Sequence, residues 1–399
     1  MGPLHGIRVI ELAHIMAGPA CGMMLADMGA DVIKVEKVPG GDDTRRSVPP
    51  DIDGESAAFM MMNRNKRGIA VDLKLEAGNK IVRRLIDSAD VVIENYRKGT
   101  MQRLGLGYES LADRNPGLIY CEISGFGRTG PYAQRAGFDL IAQAMSGLMS
   151  ITGEGPGRAP VKCGVPITDI TAGILGAMGV LAAYVHRLQT GRGQRVDTSL
   201  FEAGIVHTFW QSAIALATGV PPTAMGSAHP LNGPYQAFAT ADGWVTIGAA
   251  NQANWLKLLD ALDANELQQD SRFANNNARM QHLDELEQVL TSITQQRDSA
   301  EWLRRLEVAG VPAAPILDIA EMHADPQTQA RDMITTVTHQ RLGAVQTIGH
   351  PVKYSATPVQ VSRGAPQYGE HTREVLAQHG FCTREIEQLI AERAVVAGP

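Results

Sequence analysis

The sequence predicts an α/β protein in which helices cover a parallel β-sheet. Short apolar, β-branched runs alternate with helical segments through roughly the first half of the 399 residues. These runs are near-continuously apolar, which is typical of parallel strands buried on both faces. The alternation stops around Val220-Pro221-Pro222. We therefore expect two domains, the second smaller and of α+β character.

The amino-terminal half supplies the strands of the predicted sheet. We predict strands at residues 7–13, 31–37, 69–73, 91–95, 118–124 and 193–200. A short helix between the first two is bounded by Gly18-Pro19 at its start and Gly29 at its end, an arrangement favoured at helix termini. The segment 39–65 has no hydrophobic periodicity and is expected to form a long functional loop.

The second half begins with a predicted hairpin. Residues 235–249 contain two strand-like runs around Asp242-Gly243, a pair that favours a tight hairpin turn. Helical segments follow, then a second β-rich passage at residues 333–349 and two amphipathic helices after Gly369. The changes of pattern near residues 220 and 330 indicate that the middle of the chain forms a domain of its own.

Composition excludes several classes of protein. A net charge of −6, with 20% charged and 44% hydrophobic residues, is ordinary for a globular protein and predicts no nucleic-acid or membrane partner. The four cysteines are scattered without metal-binding spacing, so we expect no metal site and reduced thiols. Since the chain starts without a basic and apolar leader, we predict a cytoplasmic location.

One segment, GVPITDITAGILGAMGVLAAYVHR at residues 164–187, predicts a buried central helix. Asp169 lies near its start and His186-Arg187 at its end, which suits the helix dipole. Glycines at every third position from Gly173 to Gly179 make one face thin. The apolar run is expected to be too short to span a membrane. The simplest interpretation of Asp169 is that its side chain caps the helix.

Gly125, Gly127 and Gly130 form a GxGxxG pattern directly after a predicted strand. A dinucleotide site would also need a helix opening there, whereas Pro131-Tyr132 follows and indicates a loop. A nicotinamide-dependent enzyme remains an alternative that absence of nicotinamide binding would exclude. We expect these glycines to let the backbone approach a ligand or a neighbouring segment.

Several separated stretches resemble one family in order and spacing. They include VIELAHIMAGPACGMMLADMGADVIKVEK, NRNKRGIAVDLK, CEISGFGRTGPY, PITDITAG and TGRGQRVDTSLFEA. These resemble class III CoA-transferases, the group of the formyl-CoA and carnitine CoA-transferases. The resemblance implies a Rossmann-like large domain built from both chain ends, a small middle domain and an interlocked, ring-like homodimer. The corresponding boundaries are 1–220, 221–330 and 331–399, the last segment returning to the large domain.

The resemblance also implies a catalytic nucleophile, Asp169, in PITDITAG. A helix N-terminus favours the carboxylate form, so we expect this group to be charged at neutral pH. Coenzyme A enters as part of the substrate, with no tightly bound cofactor implied. The CoA-binding positions implied are Met16, Ala17, Lys37, Val71, Asp72, Leu73, Lys74, Asn95, Tyr96, Arg97, Arg103, Ala136, Gly137, Phe138 and Asp139.

Two departures bear on the substrate. Formyl-CoA transferase has Gln where Met16 stands, and a run of glycines in its small domain that this chain lacks. The pair His229-Pro230 instead resembles members that act on succinyl-CoA and other dicarboxylates. The resemblance therefore implies a donor such as succinyl-CoA and a small carboxylic or dicarboxylic acceptor. Arg45, Arg46 and Arg64 are candidates for binding a second carboxylate.

The same resemblance leaves other activities open. An α-methylacyl-CoA racemase needs a proton-carrying partner for the aspartate, usually a histidine in a GHD sequence. Here Phe138 stands at that position and carries no proton. A non-catalytic CoA-binding protein is a further alternative, disfavoured by the presence of Asp169. For the oxyanion formed during acyl transfer, backbone amides of GFGRTG or of residues 248–251 are the candidates.

Overall fold

The computed structural model describes residues 1–398, which group into two compact units. The large unit comprises Met1–Leu148, Cys163–His207 and the residues from Pro326 onward, and the small unit comprises Met149–Lys162 and Thr208–Asp325. The predicted boundary at residue 220 therefore differs from the structure, as does the assignment of 149–162 to the large domain. No proline or glycine adjoins the boundary between His207 and Thr208, so composition alone misplaces it.

The strands alternate with helices through the first half of the chain. In chain order they are β1 (Arg8–Leu12), β2 (Asp31–Lys37), β3 (Asp51–Ile52), β4 (Glu55–Ser56), β5 (Arg67–Val71), β6 (Val91–Glu94), β7 (Ile119–Ser124), β8 (Arg195–Ser199), β9 (Tyr235–Ala239), β10 (Trp244–Gly248), β11 (Ala313–Pro315), β12 (Ile334–His339), β13 (Gly343–Ile348) and β14 (Val395–Val396).

The helices occupy both units. In chain order they are α1 (Ala17–Asp27), α2 (Ala57–Asn63), α3 (Glu76–Asp87), α4 (Thr100–Arg103), α5 (Tyr108–Ala112), α6 (Asp139–Met145), α7 (Leu148–Ile151), α8 (Ile167–Thr190), α9 (Leu200–Val206), α10 (Phe209–Thr218), α11 (Gln252–Ala261), α12 (Asn276–Gln281), α13 (Leu283–Thr294), α14 (Ser299–Ala309), α15 (Ile319–Ala324), α16 (Pro326–Ala330), α17 (Thr372–Gln378) and α18 (Thr383–Ala391). Short 3-10 helices span Asp43–Arg46 and Asn265–Gln269.

The expected parallel sheet is confirmed. Within residues 1–398 seven strands form one sheet in the order β14-β5-β2-β1-β6-β7-β8. The strands from β5 to β8 run parallel, and β14 pairs antiparallel at one edge. β1 has β2 on one side and β6 on the other, so the chain reverses its direction of progress across the sheet there. Parallel α/β sheets bind ligands in the crevice at such a reversal.

Helices bury both faces of this sheet, which explains why the strands are largely apolar on both sides. Val9 lies in the core beneath α1, α8 and α9, whereas the next residue, Ile10, lies in the core beneath α3, α17 and α18. Both side chains are fully buried. Since successive residues of a strand point to opposite faces, both positions must be apolar.

The small unit contains the predicted hairpin. β9 and β10 pair antiparallel around Asp242-Gly243, and β11 joins the other edge of β10. Its core is built around Trp255, Trp302 and Phe238, all almost completely buried. The later β-rich passage forms a separate antiparallel pair, β12 with β13, within the large unit.

Helix α8 spans 24 residues, longer than its apolar run indicates. By length and composition alone it is long and apolar enough to cross a membrane, so the expectation that it is too short is wrong. The helix continues through His186, Arg187 and Gln189 to a left-handed cap at Gly191. One side, including Ala172 and Gly176, is buried in the large unit.

The expected thin face of α8 packs against α1. A Cβ atom placed on Gly173 would lie 2.8 Å from the Ala17 carbonyl oxygen and 2.8 Å from the Ala20 Cβ. Real Cβ atoms require about 3.4 Å or more for ordinary contact, and a backbone carbonyl within a helix cannot rotate away. Glycine is therefore required here because the two helix backbones approach closely.

Replacing Gly173 with alanine tests this contact. We expect Gly173→Ala to lower the free energy of unfolding by about 1–3 kcal/mol, the usual cost of overpacking, despite alanine's better helix propensity. Urea denaturation measures this change. Gly164→Ala is the matched control, because a Cβ there meets nothing within 4 Å. Equal stability of the two variants would contradict the close packing of α1 and α8.

Candidate active site

A cavity of about 450 Å³ lies at the carboxyl edge of the parallel sheet, where the loops after β1 and β6 diverge. Its walls come from segments 14–17, 95–98, 124–126 and 133–138, and Asp169 lines it from the first turn of α8. All these residues belong to the large unit. The carboxyl ends of the strands and the amino-terminal turn of α8 thus surround the carboxyl group of Asp169.

Asp169 does not cap its own helix. Pro166 is the N-cap residue, and no side-chain cap is formed there. Asp139 supplies the cap instead: its Oδ1 accepts hydrogen bonds from the Thr168 amide at 2.9 Å and the Thr168 hydroxyl at 2.7 Å. Its Oδ2 accepts from Gln143 Nε2 at 2.6 Å. The capping interpretation of Asp169 is therefore wrong, and its carboxyl group is left to face the cavity.

Asp169 is also less acidic than the sequence indicated. Burial raises the pKa of Asp169 from 3.8 to about 7, and the nearby carboxylate of Asp139 adds to the shift. The expectation of a fully charged group at neutral pH is therefore wrong. Desolvation outweighs the effect of the helix N-terminus, because removing water destabilises a carboxylate more than one helix end stabilises it.

Several of the implied CoA-binding positions line the cavity together with Asp169: Met16, Ala17, Asn95, Tyr96, Arg97, Ala136, Gly137 and Phe138. Asn95 follows β6, and Ala17 opens α1 after β1, so these two meet at the reversal in the sheet. The Phe138 side chain is 65% exposed, an apolar surface beside the cavity.

The remaining implied positions lie outside the cavity lining. Lys37 and Val71 end neighbouring parallel strands and are paired in register, and Asp72, Leu73 and Lys74 form the turn that follows. Arg103 ends α4, and Asp139 lies behind Asp169 as the cap of α8. The strand-end positions thus continue along the same carboxyl edge as the cavity.

A buried ion cluster beneath the cavity is absent from the sequence-based candidates. Arg128 Nη2 donates to Glu94 Oε1 at 2.5 Å, its Nε lies 3.2 Å from Glu122 Oε1, and its Nη1 donates to the Tyr96 carbonyl at 2.9 Å. Glu94 and Glu122 face each other on adjacent strands, where burial raises the pKa of both carboxyls. Arg128 therefore ties the glycine-rich loop to the sheet.

That loop does not open a helix, as expected. Residues 125–138 run without regular structure until α6 begins. A Cβ on Gly125 would lie 2.6 Å from the Gly137 Cα, so the glycine allows two backbone segments of the cavity wall to touch. Of the oxyanion candidates, Gly125, Phe126 and Arg128 line the cavity, whereas residues 248–251 belong to the small unit.

The three arginines proposed for a second carboxylate do not line the cavity. Arg45 binds Glu36 through two hydrogen bonds of 2.7 Å, and Arg46 pairs with Asp43. Arg64 is buried against Asp27 at 2.6 Å. Each guanidinium is engaged by a carboxylate whose position only the tertiary fold determines, so the structure does not bring these three arginines into the cavity.

Other basic residues line the cavity instead. They are the cations Arg97, Lys98, Arg128 and Arg135, together with His14. Burial lowers the pKa of His14, and Arg135 lies over the Tyr132 ring at 3.9 Å. The position of His14 directly after β1, at a strand end, is the signal that could have identified it. Among the described residues 1–398, no cluster of His, Cys, Asp or Glu is placed to hold a metal ion.

Known proteins match this chain over nearly its whole length. Residues 4–372 match the sequence model of the family described as CoA-transferase family III. A succinate–glutarate CoA-transferase of Agrobacterium fabrum is 44% identical, with 94% of this chain and 95% of that protein covered. A succinyl-CoA:glutarate CoA-transferase of Mus musculus is 37% identical, with 95% and 86% covered. The crystal structure of a CaiB/BaiF family protein from Brucella suis superposes with a TM-score of 0.84 at 42% identity, with 95% and 99% covered.

The ion cluster gives a prediction about stability. Arg128→Leu leaves two buried carboxyls facing each other, so we expect the free energy of unfolding to fall by about 3–5 kcal/mol. Arg114→Leu is the matched control, since its pair with Asp87 is largely solvent-exposed and is worth about 1 kcal/mol or less. Chemical denaturation of both variants measures the difference. A loss at Arg128 no larger than that at Arg114 would refute the role assigned to the cluster.

The raised pKa of Asp169 makes a prediction about pH. The folded protein retains this proton where the unfolded chain has released it, so the stability linked to it is present below about pH 4 and is lost as pH rises through about 7. Asp169→Asn should therefore unfold at a higher temperature than the unsubstituted protein, by a margin that widens between pH 5 and pH 8. Thermal scans across this range test it, with the exposed Asp113→Asn as control. A margin independent of pH would contradict it.

Proposed function

The chain belongs to CoA-transferase family III, and we propose that it moves CoA from succinyl-CoA to a small dicarboxylic acid with Asp169 as covalent nucleophile. The observation that carries this proposal is the placement of Asp169. Its carboxyl group lines a cavity shared with the loops after β1, β6 and β7, while Asp139 takes over the capping of α8. Because the carboxyl group of Asp169 does not cap the helix, it is available for attack on a thioester.

The proposed reaction proceeds by four attacks. The Asp169 carboxylate attacks the thioester carbonyl of succinyl-CoA, the C–S bond breaks, and an aspartyl–succinyl anhydride and the CoA thiolate form. The thiolate then attacks the aspartyl carbonyl, giving an aspartyl-CoA thioester and free succinate. The acceptor carboxylate attacks this thioester and expels the thiolate, which finally takes the acceptor's acyl group from the anhydride. Asp169 is regenerated, and no proton is gained or lost overall.

The raised pKa of Asp169 is compatible with this role. Near pH 7 a substantial fraction of the group is ionised, given a pKa of about 7. A carboxylate that has lost its water shell is a stronger nucleophile than a hydrated one, and its basicity is closer to that of the thiolate it must expel. Burial thus lowers the fraction of Asp169 that is ionised, but it makes the ionised carboxylate a stronger nucleophile.

The cations of the cavity support a dicarboxylate substrate. Within the described residues neither Arg97 nor Arg135 forms an ion pair, and both line the cavity. An arginine binds a carboxylate through two parallel hydrogen bonds, so such a residue is suited to the end of succinate that does not react. The two relatives named for succinate or succinyl-CoA and glutarate support the same class.

We also propose that the protein works as a homodimer with interlocked subunits. The support is the side of α8 that the large unit leaves uncovered: Ile174, Met178, Val185 and Leu188 are between 47% and 69% exposed. A continuous apolar stripe on a long helix is costly in water and favours burial against another protein surface. Light scattering after size-exclusion chromatography tests the dimer.

The mechanism predicts a covalent adduct on Asp169. Incubation with succinyl-CoA, trapping with borohydride or hydroxylamine, and mass spectrometry should locate a modified Asp169 in the unsubstituted protein. Asp169→Ala should show neither adduct nor transfer, whereas the exposed Asp113→Ala should show both. The rate of adduct formation should rise with pH through about 7 and then level off, because the carboxylate is the reacting form.

The acceptor and the competing activities are tested in the same assay. Glutarate and other dicarboxylic acids are offered with succinyl-CoA, and product acyl-CoA is measured by chromatography. Deuterium exchange at the α-carbon of a branched acyl-CoA is the corresponding test for a racemase. CoA binding without adduct, transfer or exchange across a panel of acyl-CoAs would overturn the proposed transferase mechanism.

A further inference from the structure

The turn that forms one wall of the cavity contains a residue in an unfavourable backbone conformation. Ile15, between β1 and α1, has φ of +69°. Other non-glycine residues with positive φ in the described chain are Asp53, Asn65, Asp263, Asp332 and Arg393. Aspartate and asparagine tolerate this region, but a β-branched residue strongly avoids it. Since Ile15 lines the cavity beside Met16 and Ala17, the strain lies at the site.

The side chain of Ile15 is only partly buried. It is 39% exposed, so packing alone does not account for its backbone conformation. A strained residue persists only when its surroundings impose the conformation. The constraint must therefore come from bonds to the backbone of the turn.

Such bonds come from one side through Asp42. Its Oδ1 accepts a hydrogen bond from the Ile15 amide at 3.0 Å and is itself oriented by the amide and hydroxyl of Thr44. Its Oδ2 lies 2.8 Å from Lys34 Nζ. Although burial alone would raise it, Lys34 and these hydrogen bonds hold the pKa of Asp42 well below its usual range. The Ile15 amide therefore meets a charged acceptor in a fixed position.

The residues before Ile15 are held from two further directions. Asn95 accepts from the His14 amide at 3.0 Å and donates to the His14 carbonyl at 2.8 Å. Lys34 Nζ donates to the Ala13 carbonyl at 2.8 Å and pairs with Glu11 at 2.9 Å. Lys34 and Glu11 are completely buried. The turn is thus held by hydrogen bonds to a buried ion pair.

We infer that Asp42 is a positioning residue for the transferase reaction: it holds Ile15 in the left-handed conformation and thereby keeps Met16 and Ala17 in the wall of the cavity that contains Asp169. This inference rests on the proposed function. Without the bond from Asp42, Ile15 relaxes to negative φ and the segment that follows turns away. A displacement of about 1 Å at a reacting centre costs on the order of 100-fold in rate.

The inference is tested through the backbone preference of residue 15. We expect Asp42→Ala to lower kcat/KM for succinyl-CoA about 10- to 100-fold. Adding Ile15→Gly to Asp42→Ala should restore most of this loss, because glycine adopts positive φ without help. Ile15→Asn should restore it in part. Ile15→Val, which keeps the β-branched side chain, is the matched control and should restore nothing.

The order in which glycine, asparagine and valine at residue 15 restore kcat/KM distinguishes a positioning role of Asp42 from a role in fold stability alone. If Asp42 only stabilised the fold through Lys34, a change at residue 15 would not restore activity. Hydrogen–deuterium exchange of the peptide covering residues 14–17 supplies a readout that needs no turnover. Exchange should rise in Asp42→Ala and fall again with Ile15→Gly. Should Asp42→Ala fail to fold, Asp42→Asn replaces it, since the neutral amide keeps the shape but weakens the bond to the Ile15 amide.

The outcomes of the two proposals are distinguishable. A folded Asp42 variant with unchanged kcat/KM and unchanged exchange, or equal rescue by valine and glycine, would overturn the positioning role while adduct formation on Asp169 stood. Absence of any adduct in the unsubstituted protein would overturn the transferase mechanism. In that case the exchange data alone decide whether Asp42 holds the turn.

Discussion

The close approach of α1 and α8 is the constraint on which the site depends. There is no room for a side chain at Gly173, because the backbones of α1 and α8 approach closely there. This contact brings the first turn of α1 next to the amino-terminal part of α8, at one edge of the sheet. Ala17 and Asp169 line the same cavity as a consequence. A bulkier contact would separate the wall that follows β1 from the proposed nucleophile, because helix packing distance follows the size of the side chains in between.

Buried charges also contribute to the walls of the cavity. Arg128 lies between two buried glutamates, and Lys34 between Glu11 and Asp42. Such pairs contribute little net stability but tolerate only one arrangement, since an unpaired buried charge is very costly. The same desolvation raises the pKa of Asp169. Desolvation thus accounts both for the pairing of the buried charges and for the perturbed carboxyl group.

The strand pattern was predictable because it is local. Parallel strands between two helical layers are largely apolar on both faces, and β1, β2, β5, β6 and β7 carry that pattern in the sequence, with buried charged residues such as Glu11 and Lys34 as exceptions. The domain boundary was not predictable, because residues 149–162 join the small unit through contacts between segments distant in sequence. Likewise the sequence left Arg45 and Arg64 as candidates for substrate binding, whereas in the folded protein each is paired with a carboxylate.

By itself the sequence determined the fold class and, through its resemblance to a known family, Asp169 as candidate nucleophile. Only the tertiary structure decided that Asp139 caps α8, that burial raises the pKa of Asp169 to about 7, and that the Asp42 carboxylate accepts a hydrogen bond from Ile15, whose φ is positive. The reason is physical. Strand and helix patterns depend on neighbours in the chain, whereas pKa values, ion pairs and backbone strain depend on groups brought together by folding.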